Sequence, residues 1–372
     1  FLLQFLFSPF AGVFADRYDR RYVMIASDLL RGLTVLGFLL VREPSQIWLF
    51  YLLTVVQFML SALFIPARTA VLANVVRPEE LVTANALDSL TWSTMLAVGA
   101  MLGGVATAVF GVNTAFVLDA LTFALSAWLI AQVALPKTIK AKRQKGWKRG
   151  WIEMAGGWHY LRGEPIMLGL ALVKAGGSLV WGAINVLEVN YAEMIYPTIL
   201  TVGNNVVGGD GTVTLTIIYT LSGLGTGLGP LFVRRWLGDT IPRLLAGITL
   251  GFVLLAIGLL GLGLAPTLTV FAVFTVVRTV GTGVLWVFSA SLLQMVVPDV
   301  VRGRVFAFEF ALLTLTQSIS IYWAGFAQDT LGWTVPSVTL SMFVLGVFVL
   351  GAWLPFYLRI RTRPLLKITP PL

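Results

Sequence analysis

The stretch Gly12-Val13-Phe14-Ala15-Asp16-Arg17-Tyr18-Asp19-Arg20-Arg21 joins two long apolar runs. It sets a glycine, an acid and a tight basic cluster at the mouth of a hydrophobic segment. A turn this short needs Gly12, because neighbouring helices approach closely where a side chain is missing. The surroundings decide what kind of helices these are. Of 372 residues, 58% are hydrophobic and 12% are charged, whereas a soluble domain carries roughly a quarter charged residues. The mean hydropathy is +0.88. Twelve Trp, 24 Phe and 37 Gly point the same way, since membrane helices favour Gly at contacts and aromatics at interfaces. The stretch therefore reads as a cytoplasmic turn between two spans of a polytopic membrane protein.

A bilayer core needs about 20 apolar residues per helix. On that basis eleven spans are expected, near 1–15, 22–41, 47–65, 86–110, 113–134, 166–192, 212–233, 243–263, 266–290, 304–327 and 333–356. Most breaks are short and punctuated by Pro, Gly or charge. One is long and hydrophilic, Pro136 to Pro165. It separates five spans from six. The expected organisation is an N-terminal bundle over 1–135, a basic linker with an amphipathic helix over 136–165, a C-terminal bundle over 166–358 and a basic tail over 359–372. The chain opens at Phe1 inside an apolar run, so a further helix is expected to precede it.

Composition also excludes chemistry. No Cys means no disulfide framework, thiolate metal site or Cys nucleophile. His159 is the single His, so no metal site and no cofactor are expected. The interfacial tryptophans Trp147, Trp151 and Trp158 explain its segment as a helix lying on the bilayer. The net charge of +9 invites a nucleic-acid reading, but its distribution argues for topology. With the Asp16–Arg21 turn inside, the cytoplasmic breaks hold 22 of the 26 Lys and Arg residues, and the outside breaks hold only Arg42. That is the positive-inside pattern. It implies contact with anionic lipid and no nucleic acid.

An internal repeat is visible. Gly12 to Tyr18 aligns with Gly229 to Arg235, and Val76-Arg77-Pro78-Glu79 with Val296-Val297-Pro298-Asp299, at nearly one offset. Parallel repeats of this size build secondary transporters, with the substrate site between the halves near the midplane. Together these features resemble the major facilitator superfamily, in particular its bacterial drug- and siderophore-exporter branch (enterobactin-exporter-like and macrolide-efflux-like members). The family motif G-x-x-x-D-R-x-x-R-R is matched by Gly12, Asp16, Arg17, Arg20 and Arg21, with Asp19 where Gly is usual. The resemblance implies an all-α polytopic membrane fold with eleven of twelve transmembrane helices present, in two pseudo-symmetric six-helix bundles. It also implies that Asp16 and Arg17 latch the cytoplasmic side in one conformer, with Arg20 and Arg21 anchoring to phosphate headgroups as well. In the second half Val233 replaces the acid, so that copy is degraded. Gly99, Gly103 and Gly104 match the glycines of an antiporter-linked pattern whose Pro is missing here. Gly223, Gly225, Gly227 and Gly229 resemble a nucleotide loop only as text, because no strand precedes them.

Ionisable groups at membrane depth are costly, so each is a functional candidate. Asp28 and Arg31 lie three apart on one helix and can pair locally. Asp88 and Glu309 each lie near a helix start, at equivalent places in the repeat. Asp119 sits in the outer part of the membrane, either as a proton site or bonded to a neighbouring Asn or Thr. Lys174 is expected to snorkel to the interface, and it is too far from Glu188 to pair with it. Glu188, with Asn185 and Asn190, is a candidate for the outer cavity. Arg278, mid-helix, must find an acid, a carbonyl or water. Tyr196 to Thr212 is expected to be a polar external spacer.

The expected function is proton-coupled export of hydrophobic or amphipathic small molecules by alternating access, from the bacterial cytoplasmic membrane, with linker and C-terminus inside. A monomer is expected, with a small-molecule substrate, protons and anionic lipids as partners. One alternative is an importer or symporter of a small amphipathic solute. Another is a non-transporting scaffold or sensor. An enzyme is not expected, because no nucleophile–base constellation is present.

Overall fold

The computed structural model describes residues 19–75, 81–133, 149–202, 205–209, 211–238, 240–297 and 299–361. Among these, nine helices are long and apolar enough to cross a membrane. In chain order the elements are α1 (Arg20–Gly37), α2 (Ile47–Val75), α3 (Leu81–Phe110), α4 (Val112–Gln132), α5 (Arg149–Gly163), α6 (Pro165–Trp181) and α7 (Ile184–Asn190). A π-helical turn, Tyr191–Ile195, and the strands β1 (Ile199–Val202) and β2 (Asn205–Gly208) follow. The remainder comprises α8 (Thr212–Leu237), α9 (Ile241–Leu264), α10 (Leu268–Val296), α11 (Asp299–Asp329) and α12 (Val335–Ile360).

Local chemistry sets several ends. Asp19 caps α1 by accepting from the Arg21 amide at 2.9 Å, which satisfies a donor the first turn leaves open. The residue that departs from the family motif is thus a helix cap. Thr267 and Thr334 cap α10 and α12 in the same way. Gly238 ends α8 with φ +91°, a conformation that costs little only without a Cβ.

Four expectations need correction. First, several helices outrun their expected bounds: α2 continues to Val75, α3 begins at Leu81, α10 continues to Val296 and α11 begins at Asp299. Apolarity marks the hydrocarbon, but helical hydrogen bonding continues past it. Second, Glu309 and Asp88 therefore lie well inside their helices and not at their starts. Third, the span read as 166–192 is one span that runs on from Pro165 to Ile195 through the π-turn, with a break in its helical hydrogen bonding at Gly182 and Ala183, whose backbone angles stay helical. Fourth, the stretch read as a spacer forms an antiparallel hairpin, Ile199 opposite Gly208 through Val202 opposite Asn205. Its Ile, Val and Thr residues favour strands. Thr214 Oγ1 fastens it to α8 by donating to the Tyr196 carbonyl at 2.5 Å.

By contact, the chain divides into two compact units, Phe1–Ser89 with Val105–Glu153, and Leu90–Gly104 with Met154–Leu372. In the first, α1 packs on both α2 and α4. Ser27 Oγ donates to the Leu60 carbonyl at 2.7 Å, and a Cβ on Gly32 would meet Phe123 Cβ at 3.3 Å. In the second, α10 packs on α9 and α8, α11 packs on α6, and α12 packs on α9. One buried apolar core runs through this unit, centred on residues such as Leu170, Ile184, Leu245, Leu255, Phe271 and Phe288. Trp353 Nε1 ties α12 to α9 through Thr249 Oγ1 at 2.8 Å. Tyr191, on the π-turn, donates to Thr339 Oγ1 at 3.1 Å and packs on the Phe271 ring at 4.5 Å between centroids.

The α9–α10 contact depends on glycine. A Cβ on Gly258 would lie 2.6 Å from Arg278 Cα, and one on Gly281 would lie 2.7 Å from the Gly251 carbonyl oxygen. These helices touch backbone to backbone, which in lipid is a main source of association. The close approach also fixes where Arg278 enters the unit. Gly258→Val is expected to force α9 and α10 apart at a cost of at least about 1–3 kcal/mol. Thermal unfolding in detergent checks this, with Gly325→Val, where a Cβ has open space, as the control that keeps the wild-type midpoint.

Candidate functional site

In the second unit one helical stretch, α6 continued by α7, carries two charges of opposite sign, and each meets its counter-ion on another helix. Lys174 on α6 donates to Glu309 Oε2 on α11 at 3.1 Å. Glu188 on α7 pairs with the Arg278 guanidinium on α10. Lys174, Glu188, Arg278 and Glu309 are only 7%, 3%, 6% and 2% exposed. Fourteen residues of helix separate Lys174 from Glu188, about 21 Å at the usual rise. One pair thus lies toward the linker end of the helix and the other toward the hairpin end.

Lys174 does not snorkel, contrary to expectation. It lies nine residues in from Pro165, with Glu309 within reach on α11. Its Nζ also sits 4.8 Å from the Trp286 ring centroid and 5.9 Å from that of Phe306. Aromatic faces attract an ammonium most strongly where water is excluded. Glu309 Oε1 is buried and has no hydrogen-bond partner among the described residues. Around Glu188 and Arg278 the polar neighbours are Ser222, whose Oγ is 3.5 Å from Arg278 Nη2, and Tyr219, which feels the charge of both. Arg278 Nε is a second buried orphan.

Between the two pairs, polar contacts follow the α6–α11 interface. Ser178 Oγ lies 2.6 Å from Thr316 Oγ1 and donates to the Leu313 carbonyl at 3.1 Å. At the break, Ser320 Oγ accepts from the Ala183 amide at 2.8 Å. An amide diverted from the helical ladder at membrane depth needs such a partner, or water, to satisfy it. Gly182 lets α11 approach the break, since a Cβ there would lie 2.9 Å from Ser320 Cβ. Farther out, Asn190 Nδ2 donates to Gln328 Oε1 at 2.6 Å, whereas Asn185 is exposed.

In the first unit, the structure brings Asp28 and Arg31 together. Arg31 Nη1 is 3.3 Å from Asp28 Oδ1, and Ser126 on α4 donates to Asp28 Oδ2 at 2.6 Å. The Arg31 guanidinium lies over the Phe123 and Phe64 rings, at 4.5 Å and 5.0 Å. The pair therefore bridges α1, α2 and α4. Asp88 on α3 pairs with Arg68 on α2, at a half-exposed position. Asp119 is exposed. Its backbone carbonyl accepts from Thr122 Oγ1 at 2.7 Å. Arg20 and Arg21 form the first turn of α1. Gly12, Asp16 and Arg17 lie outside the described residues. No cluster of three or more metal-ligating side chains occurs among the described residues.

Sequence reasoning missed Lys174 as a site residue, along with its aromatic neighbours Trp286 and Phe306 and the hydroxyl partners Ser126 and Ser222. Distance from the helix start was the available signal for Lys174. Nine residues exceed what a lysine stem spans to reach the interface. The partners were not accessible from spacing, because each comes from another helix.

Comparison with known proteins follows from this geometry. The model of the Major Facilitator Superfamily matches residues 1–203. The chain is 33% identical over 122 residues to the uncharacterised transporter YfiS of Bacillus subtilis, covering 33% of this chain and 28% of that protein. It thus spans well under two thirds of that relative. It is 27% identical over 356 residues to macrolide efflux protein A of Streptococcus pyogenes, covering 91% and 82%. The crystal structure of a POT family transporter with 5-aminolevulinic acid superposes with a TM-score of 0.72 at 12% identity, over 97% of this chain and 86% of that one. At that identity the likeness concerns the fold.

The α6–α11 seam is directly testable, because the chain has no native Cys. With the Ser178 and Thr316 hydroxyls 2.6 Å apart, the pair Ser178→Cys and Thr316→Cys is expected to cross-link on mild oxidation in native membranes. The pair Leu172→Cys and Thr316→Cys, with Leu172 exposed and not on the seam, is expected to stay reduced. Cleavage between the two sites followed by non-reducing electrophoresis distinguishes them.

Proposed function

The chain belongs to the Major Facilitator Superfamily, and from that premise we propose that it is a secondary active transporter exporting hydrophobic or amphipathic small molecules in exchange for protons. The observation that carries this reading is the span formed by α6 and α7, with its two buried charges, each paired to another helix. A helix that only anchors a protein in lipid gains nothing from such groups. They are costly in hydrocarbon and recur along substrate and ion pathways.

Other features fit the same cycle. Alternating access rocks two bundles about a central site, so contacts that hold one conformer must be breakable. Asp16 and Arg17 are the proposed cytoplasmic latch, with Arg20 and Arg21 close to lipid phosphate. Asp28, Arg31 and Ser126 form a rigid strut inside the first unit. We place the protein in the bacterial cytoplasmic membrane, linker and C-terminal tail inside, with anionic lipid against the basic turns. Export is favoured over import by the 27% identity, over 91% of this chain, to a macrolide efflux protein. The scarcity of charge along the chain favours apolar cargo.

The test is accumulation of ethidium and of erythromycin in an efflux-deficient bacterial host. Cells expressing the gene are expected to hold several-fold less of at least one compound than vector controls. Collapse of the proton gradient is expected to abolish the difference, and Asp16→Asn to reduce it. Accumulation equal to the control, with verified membrane expression, would contradict broad export.

A further inference from the structure

The two buried pairs on α6–α7 are not chemically equivalent. Glu188 faces a guanidinium, which stays protonated at any physiological pH. Protonating Glu188 would leave Arg278 as a buried cation with no counter-charge, an arrangement more costly than the pair itself. That pair is therefore a fixed structural element. Glu309 faces Lys174, whose ammonium has a second source of support. The Trp286 ring lies 4.8 Å from Nζ and the Phe306 ring 5.9 Å, so the cation keeps favourable partners when the carboxylate is neutral. Glu309 also holds one oxygen, Oε2, against Lys174 and leaves Oε1 buried without a partner among the described residues. Buried polar atoms are almost always satisfied, so an orphan oxygen needs a reason.

We propose that Glu309 is the proton-binding carboxylate of this protein, with Lys174 as a resident cation held by Trp286 and Phe306. This rests on the secondary-transport reading only for its place in a cycle. The proton comes from hydronium, whose O–H bond breaks to leave water, and a new O–H bond forms at Oε1. Lys174 keeps its proton, and the pair goes from zero net charge to plus one. Binding and release of that proton then switch the α6–α11 contact between an ion pair and a neutral acid beside a caged ammonium. Such a change biases two arrangements of packed helices.

The surrounding charges are compatible with this role. On α6 the group facing Glu309 is Lys174. On α11 itself Arg302 and Arg304 precede Glu309 by one to two turns. On α12, which also packs on α11, Arg359 and Arg361 occur at the linker-facing end. The linker helix α5 reaches this place too. Trp158 stacks on Phe308, next to Glu309, with centroids 5.7 Å apart; His159 and Arg162 on the same helix are exposed. No acid on these elements is seen to compete for the proton among the described residues. Glu164, at the start of α6, is half-buried and ten residues from Lys174.

The experiment is infrared difference spectroscopy of the purified full chain in lipid nanodiscs, titrated with acid in heavy water. Wild type and the double variant Glu188→Gln with Arg278→Gln, which removes that buried pair together, are expected to show the high-frequency carbonyl band of a carboxylic acid shielded from solvent, and Glu309→Gln is expected to lack it. Glu309→Asp is expected to move the band while keeping it, which covers the case in which Glu309→Gln fails to fold. A band that persists in Glu309→Gln, one lost instead in the double variant, or none at all in wild type would overturn the assignment. Ethidium efflux from the same preparations, reconstituted in vesicles, separates the two readings. A Glu309 band in a protein that moves no dye would count against transport and leave the proton site standing.

Discussion

A charge carried on a membrane helix must meet an opposite charge, a hydroxyl or an aromatic face before that helix can be buried. The second unit is built around this constraint. Its central helix, α6 with α7, carries one cation and one anion in opposite halves of its length. The cation draws α11 to its linker-side half, and the anion draws α10 to its hairpin-side half. The helices follow their charges. Glycines then let them close, Gly258 where Arg278 enters and Gly182 where α11 crosses the break. The apolar core fills the remaining space. Hydrophobic burial drives little helix association inside lipid, because lipid is as apolar as Leu. Polar pairs and close backbone approach therefore decide which helix lies beside which.

The first unit obeys the same rule with different parts. There the acid and the base sit three residues apart on α1, so the charge is balanced within one helix. The bridging falls to Ser126, Phe64 and Phe123, which hold the pair from α4 and α2. A local pair asks nothing of a partner helix's charge. A pair between helices specifies the partner.

This difference explains what was readable in advance. Spans and the family resemblance follow from composition, from the apolar runs and from Gly12 to Arg21. Each is a property of one segment at a time. Asp28 with Arg31 was legible because its partner is one turn away. Arg278 was legible as a group in need of an acid, but Glu188 could not be singled out, since the two lie ninety residues apart. Lys174 was misread for the same reason. Without Glu309 in view, the interface was its only visible refuge. The helix break at Gly182 was hidden because its compensation, the Ser320 hydroxyl, comes from α11. The hairpin after Tyr196 was hidden by its Asn and Gly residues, which suit turns and loops as well as a strand pair.

The central claim is that paired charges, and not apolar packing, hold α7 against α10. It is tested most directly by a double-mutant cycle on Glu188 and Arg278, with unfolding free energies measured in mixed micelles. Arg278→Gln alone leaves a buried carboxylate without its partner and is expected to cost about 3–5 kcal/mol. Adding Glu188→Gln is expected to recover most of that loss, because two neutral amides can bond each other. A loss in the double variant equal to the sum of the two single losses would show that the two side chains do not depend on one another, and would contradict the account.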